Sequence, residues 1–419
     1  MSNALNLLLL LGPWTVTALV LAGGIFIVVV GAQVPQMLVH ASVACYAALM
    51  LNTDLVPIPG VVDLRVLAVG LAAYLVVVRG RWPRPWMLAR GAFPAALAFY
   101  GIGFFTIGTA VDRSAAGDAL FAGILCVGFV WMLVAAAEPD EIRSAIHGVS
   151  GLILLGSIVI VFVDPAGAKI HGRWSGLVTN ANTLGMFSAM FLMSARPSRA
   201  ARSLPATIIG LIGSASRSSA FAAGLIAGPR LVEGMGRRVR RLVMVVAILA
   251  AIPVIHAVFF SAGDATGMDS GVHGGTLTRT GNSRADYWSD GWHQFATHPA
   301  TGLGLGNEPH LLSSSVLSPI VQVGIAGAIP LGLVVALAIR RSRGQPTIFR
   351  SMLGFLLVHG IFEMWIFAGG SVIFAFFLIA AFDPELQRTI VDEAAEDDDE
   401  EMEWNITTAN ARRVGPKIA

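Results

Sequence analysis

Apolar residues fall along this chain in long blocks separated by short arginine-rich intervals, and no block alternates apolar and polar positions with a period of two. Eleven runs, near residues 15–31, 34–51, 61–78, 93–110, 117–137, 144–163, 178–195, 242–260, 316–339, 351–367 and 370–382, are each long enough to span a hydrocarbon layer as helix, or nearly so. The missing alternation excludes a transmembrane β-barrel, and helices are then the only spanning structure left. The pattern predicts an all-α, polytopic membrane helical bundle of about 11–13 transmembrane segments. Residues 4–31 read either as one tilted span or as two short pieces around Pro13. They lack the basic start and cleavage site of a secretory signal, so no removal is expected.

The segment from Leu204 to Gly228 breaks the pattern, because a Ser/Arg cluster at residues 214–219 divides it into two short halves. Arg217 stands in that cluster with apolar stretches on both sides. An ionised side chain at such depth costs about 2.5–3.5 kcal/mol on insertion scales, so it is expected to face a cavity, a partner or an anionic ligand. Arginines between the runs set the orientation. Arg79, Arg81, Arg84 and Arg90 mark one cytoplasmic loop; Arg196, Arg199 and Arg202 a second; Arg230, Arg237, Arg238, Arg240 and Arg241 a third; Arg340, Arg341, Arg343 and Arg350 a fourth. The second and third flank residues 204–228, which makes that segment a re-entrant hairpin with Arg217 at its tip. The chain then divides into an N-terminal transmembrane bundle (1–260) containing this hairpin, an outer loop (261–315), C-terminal transmembrane helices (316–383) and a cytoplasmic tail (384–419).

Composition narrows the class further. A chain of 419 residues that is 55% hydrophobic and 13% charged, with mean hydropathy +0.72, has too much apolar surface for a water-soluble core. The formal net charge of +2 conceals an acidic run from Asp392 to Glu403, which reads as a solvated, disordered appendage. Cys45 and Cys126 both lie inside apolar runs and suit packing rather than a disulfide or a zinc site. Lys169 and Lys417 are the only lysines against many arginines, which points to a GC-rich bacterial genome. Membrane lipids are expected partners and nucleic acid is not.

The outer loop opens on a Gly/Ser/Asp/Thr stretch, Ser261 to Gly281. A helix is expected to start at the capping residues Asn282 or Ser283 and to stop before Pro299. On it Trp288, Trp292 and Phe295 fall at i, i+4 and i+7, a stripe suited to lying on the bilayer or packing onto the spans.

Several motifs occur around this loop in a fixed order. They are Arg173-Trp-Ser-Gly-Leu-Val-Thr-Asn-Ala-Asn182-Thr-Leu-Gly185, Ser216-Arg217-Ser-Ser, Arg284-Ala-Asp286-Tyr-Trp288, His298-Pro-Ala-Thr-Gly-Leu-Gly-Leu-Gly306-Asn307 and Gly324-Ile-Ala-Gly327. Together they resemble the O-antigen ligase and polymerase superfamily over roughly residues 170–330. The resemblance implies a C-type glycosyltransferase membrane fold in the bacterial inner membrane, with its active site facing the periplasm or cell exterior. It implies transfer of a glycan from undecaprenyl pyrophosphate to a glycan, lipid or protein acceptor, with inversion, without a metal and without a cofactor. On the same footing Arg217 and Arg284 fall on the family's pyrophosphate-binding arginines. A permanently charged, planar donor suits a leaving group on which negative charge develops. Asn182, Asp286 and Trp288 are carried over as substrate contacts, and so is Arg173, although snorkelling to the interface is the reading favoured for that arginine.

The family's histidine is missing. Counting eleven residues back from Gly324 lands on Ser313, followed by Ser314, and a serine hydroxyl is too weak a base at neutral pH. His310 is the favoured replacement; Asp286, His298 or a reaction that does without this base remain open. His359 and Glu363 form an i, i+4 pair on a predicted span, expected either to anchor helix packing or to face the cavity with Glu363 partnering Arg217 or the acceptor. Gly302-Leu-Gly304-Leu-Gly306 lacks the strand, lysine and Ser/Thr of a nucleotide loop and is read as a turn ending the loop helix. His293 and His298 have no Glu or Cys at metal-ligand spacing, so no metal site is expected. The alternative function is a membrane transporter or lipid-linked glycan flippase, since a broken hairpin with a charged tip also suits a transport site.

Overall fold

A computed structural model describes residues 33–52, 63–170, 172–231, 284–307, 314–341 and 348–384. The runs near 15–31 and 242–260, most of the outer loop, His310, Ser313 and the acidic tail lie outside the described residues. What is described is almost entirely helical. The helices are α1 (Pro35–Ala47), α2 (Leu64–Arg79), α3 (Phe93–Thr106), α4 (Arg113–Ala136), α5 (Pro139–Val163), α6 (Ala181–Met193), α7 (Pro197–Ser214), α8 (Arg217–Leu231), α9 (Arg284–Thr297), α10 (Ser318–Val323), α11 (Ala328–Arg341), α12 (Ile348–Phe362) and α13 (Val372–Phe382). The strands named among the described residues form one two-residue antiparallel pair, β1 (Lys169–Ile170) with β2 (Arg173–Trp174).

Local chemistry accounts for the boundaries. Asp63 accepts the Arg65 N–H at the start of α2, and Gly80 closes that helix in the left-handed region at φ 63°. Asp112 accepts two N–H groups of the first turn of α4, Asn180 caps α6 and Ser371 caps α13. On α5, Pro139 occupies the first turn beside Asp140 and Glu141, where negative charge meets the positive end of the helix dipole. At 24 and 25 residues, α4 and α5 are long and apolar enough to cross a membrane, each measuring roughly 36–38 Å. Every residue of α13 is buried, so this uniformly apolar helix runs through the centre of the bundle. It packs on α4 and α12. Aromatic pairs fill the space beside it, with Phe99 stacked on Phe367 at 4.4 Å and Tyr46 on Phe129 at 4.7 Å.

Most of the ion pairs among the described residues gather at one end of the helices, Arg65–Asp63 at the start of α2 being apart from them. Arg79, at the close of α2, meets Glu141, at the start of α5, at 2.6 Å. Arg143 and Arg196 share Asp140, Arg81 pairs with Glu138, and Arg350 pairs with the fully buried Asp383. These contacts join the end of α2 and the start of α7 to the start of α5, and the end of α13 to the start of α12. The ends of α4, α5 and α7 remote from these pairs carry Asp112, Asp164 and Ser214.

Two predicted spans differ from expectation. The run 316–339 is broken into α10, a turn at Gly324–Gly327 and α11. The cause is long-range: Gly324 sits at φ 72° with the Ala300 carbonyl against it, and Ile325 donates its N–H to the Pro299 carbonyl at 2.8 Å. The run 351–367 stays helical only to Phe362, and residues 363–371 turn within the bundle before α13.

Candidate functional site

The division expected at residues 214–219 is present and narrower than the cluster. α7 ends at Ser214, Ala215 takes the left-handed conformation (φ 48°, ψ 34°), and α8 begins at Arg217. Alanine pays about 1–2 kcal/mol for that conformation, so surrounding contacts must hold it. They come from α6, where a Cβ at Gly185 would run into Ser216. Glycine at the end of the Arg173–Gly185 motif therefore admits the break.

A second break faces the first. After α12 the backbone is irregular and buried, and Phe367 is left-handed at φ 65°. Its polar groups are satisfied individually. Tyr100 donates its hydroxyl to the Phe367 carbonyl and Tyr46 to the Gly369 carbonyl, both at 2.6 Å. The Ser315 hydroxyl donates to the Glu363 carbonyl at 2.6 Å and accepts the N–H groups of Trp365 and Ile366 at 2.9 and 3.0 Å. Buried irregular backbone is stable only with such partners.

Side chains tie the two breaks together. Glu363 Oε1 accepts from Ser218 Oγ at 3.1 Å and from Asn182 Nδ2 at 2.9 Å. Asn182 Oδ1 in turn accepts from the Arg173 guanidinium, and Arg173 Nε donates to the Ser214 carbonyl at 2.9 Å. The Asn182 amide thus relays between a cation and a carboxylate, with each end matched to its neighbour's charge. On the inner side, Ser219 Oγ lies 3.1 Å from His359 Nε2, and Trp365 Nε1 donates to His359 Nδ1 at 3.2 Å. An indole N–H only donates, so Nδ1 accepts, the imidazole proton sits on Nε2, and Nε2–H donates to Ser219. This histidine is buried and neutral, with both ring nitrogens engaged.

Four residues singled out from sequence, Arg173, Asn182, His359 and Glu363, therefore meet the Ser216–Ser219 cluster beside Arg217, which is partly buried as the first residue of α8. Two readings need correction. Arg173 does not simply snorkel to the interface, because the β1–β2 turn directs it onto Ser214 and Asn182. Glu363 is not on the span with His359 but one residue beyond its end, and the pair reaches two different serines. Ser315, Ser218 and Trp365 belong to the same network; Ser218 falls in the Ser216–Ser219 motif, while nothing in the local sequence marks Ser315 or Trp365.

The loop helix α9 spans Arg284–Thr297, within the expected bounds, with Arg284 and Asp286 in its first turn. It packs on α10, which follows directly on the Ser315 turn that holds Glu363. The aromatic stripe divides: Phe295 packs against Leu303 and Val321, while Trp292 is exposed. Trp288 is partly buried, and its Nε1 makes no hydrogen bond among the described residues. Past α9, Gly302, Gly304 and Gly306 all have positive φ, forming the expected turn. Asn307 fixes it by accepting the Asp112 N–H and donating to the Asp112 carbonyl. A separate cavity of about 220 Å³ lies at the ion-paired end, lined by Asp140, Glu141, Arg143 and Arg196 among others. Those charges are already matched to one another, so it does not compete as a reaction site.

No curated protein matches the chain. The segment that carries α7, the break, α8, α9 and α10 answers to a known family, whereas Arg173, Asn182, His359 and Glu363 reach it from outside that segment. Residues 203–325 match the family model described as O-antigen ligase, so this part of the chain is similar to that family.

Proposed function

We propose that this protein is a membrane glycosyltransferase that moves a glycan from a polyprenyl pyrophosphate carrier, undecaprenyl pyrophosphate in bacteria, to an acceptor glycan, lipid or protein. The observation that carries the reading is the polar seam between two helix breaks, with Arg217 opening α8 inside it. In the proposed topology the ion-paired arginine end is cytoplasmic by the positive-inside rule. The seam then faces the outer side of the bacterial inner membrane, in a multi-pass fold of the C type with residues 204–228 as a re-entrant hairpin.

The chemistry follows from that placement. Breaking the anomeric C–O bond leaves negative charge on the pyrophosphate, and fixed cations in a water-poor site stabilise it strongly. Arg217 and Arg284 take this role. Arg173 and Asn182 orient the groups around them, and Trp288 offers a buried indole N–H to the glycan. Inversion and independence of metal are part of the proposal.

Deleting the gene should shorten or detach one surface polysaccharide, and purified protein in liposomes should join a lipid-linked glycan to acceptor without added divalent cation. Absence of transfer in both settings refutes the reading. Facing helix breaks also suit a flippase or transporter, which would move lipid-linked glycan across the bilayer without forming a new glycosidic bond, so the product of the same assay separates the two.

A further inference from the structure

Three helices begin around the cavity at the ion-paired end. Gln36 lines it from the first turn of α1, Asp140, Glu141 and Arg143 from the start of α5, and Arg196 and Arg199 from the start of α7. A helix start presents orphan N–H groups and the positive end of its dipole, both of which favour negative charge. α5 supplies that charge itself, through Asp140, Glu141 and the capping box that Glu141 makes with Glu138. α1 and α7 do not. Neither has a side-chain cap or an acidic residue in its first turn, and α7 carries Arg196 and Arg199 there instead. Arginines in that position oppose the dipole unless an anion lies among them.

Each carboxylate oxygen lining the cavity already holds a guanidinium. Asp140 accepts from Arg143 at 3.0 Å and from Arg196 at 2.9 Å, and Glu141 accepts from Arg79 at 2.6 and 2.7 Å. Arg199 makes no ion pair among the described residues, so in and beside the cavity four guanidinium groups stand against two carboxylates. Arg143 is only 6% exposed, and the described residues engage its Nε and one Nη, through Asp140 and the Ser194 carbonyl, out of five N–H donors.

We propose that this cavity binds a phosphate group between Arg143, Arg196 and Arg199. Guanidinium forks match phosphate in both sign and geometry. A single water needs about 10–15 Å³, so a cavity of about 220 Å³ leaves ample room. The phosphate comes from an anionic lipid headgroup or from solution, and position favours the headgroup. α5 is long and apolar enough to cross a membrane, and the cavity surrounds its first turns. Basic recesses between spanning helices at a cytoplasmic interface take such headgroups. The site lies at the opposite end of α7 from the seam, about 27 Å along an 18-residue helix, and its assignment does not rest on the transferase reading.

Thermal unfolding of purified full-length protein in detergent tests the site. The titrants are dioctanoyl phosphatidylglycerol, dioctanoyl phosphatidylcholine and inorganic phosphate at constant ionic strength, since a ligand bound only by the folded state raises the melting temperature. Phosphatidylglycerol should stabilise the wild type at lower concentration than phosphatidylcholine, whose choline cation the arginines repel. Phosphate acting as strongly as phosphatidylglycerol would assign the site to the free ion. Arg196→Gln and Arg199→Gln, at exposed positions where the fold tolerates the change, should each raise the concentration required by about fivefold. Arg84→Gln, exposed on the loop after α2 and outside the cavity, should leave it unchanged. Stabilisation by neither phosphatidylglycerol nor phosphate overturns the proposal, as does equal stabilisation by the two lipids. So does unchanged affinity in both cavity variants, or an Arg84→Gln effect as large as theirs, which would mean diffuse attraction rather than a site.

Discussion

The two ends of the bundle use the same residue types in different ways. At one end, guanidinium groups meet carboxylates directly: Arg79 with Glu141, Arg143 and Arg196 with Asp140, Arg350 with Asp383. Apart from Arg143–Asp140, which lies within α5, each pair joins the terminus of one helix to that of another, which fixes how the helices stand beside one another. At the other end, Arg173 is held by a carbonyl and an amide, and Glu363 by an amide and a hydroxyl. There amide, hydroxyl and carbonyl groups are among the partners that direct the charged side chains. The first arrangement suits a joint, and the second suits a site.

The sharpest way to break this contrast is to remove one arginine from each end. Arg217→Ala should reduce glycan transfer by about 100- to 1,000-fold, as loss of a charge-stabilising donor does in other enzymes, with membrane content and thermal stability close to wild type. Activity at the wild-type level would move Arg217 into the structural class. The facing breaks can be tested next through their packing. A Cβ at Gly369 would strike the backbone of Gly123 on α4, so Gly369→Ala should destabilise by about 1–3 kcal/mol, seen as a lowered melting temperature in detergent. An unchanged melting temperature would mean that the second break is not held as described.

Arg79→Ala is the counterpart at the joint. It leaves Glu141, partly buried, without its bidentate partner. Stability should fall by about 1.5–3 kcal/mol, the range for hydrogen bonds to charged groups, while transfer per folded molecule stays constant. The smallest effect is expected at Asp63, which caps α2 and pairs with Arg65. Asp63→Ala should cost about 1 kcal/mol and leave transfer unaltered. The hydrogen bond from Arg65 holds the Asp63 carboxyl below the usual carboxylate range. The cap's stabilisation is therefore present above the unfolded-state pKa and lost as pH falls through the lower folded value. Acid melts of wild type and Asp63→Ala should converge only below the ordinary carboxylate range.

Hydropathy alone was enough to locate most described helices, because a backbone in hydrocarbon has no alternative to internal hydrogen bonding. The extent of α9 was legible from its flanking residues and Pro299. What escaped the sequence is imposed from a distance. Nothing near Gly324 announces the Ala300 carbonyl that interrupts its span, and nothing near Phe362 announces Ser315, which captures the backbone beyond it. For the site, the cost of burying charge marked Arg217, His359 and Glu363 as worth attention. The network joining them runs through Ser218 and Ser219 of the marked cluster and through Trp365, whose importance arises only from the fold. Arg173 was misjudged because a two-residue strand pair, too short to read from sequence, turns it inward.

The central claim is that Arg217, at the break between α7 and α8, and Arg284, at the start of α9, act on one pyrophosphate. A double-mutant cycle on undecaprenyl pyrophosphate binding, with Arg217→Gln, Arg284→Gln and the pair, tests it most directly. Convergence predicts that each single variant weakens binding and that the two effects couple by roughly 0.5–3 kcal/mol. Effects that add within about 0.3–0.5 kcal/mol, or unimpaired binding in either single variant, would contradict it.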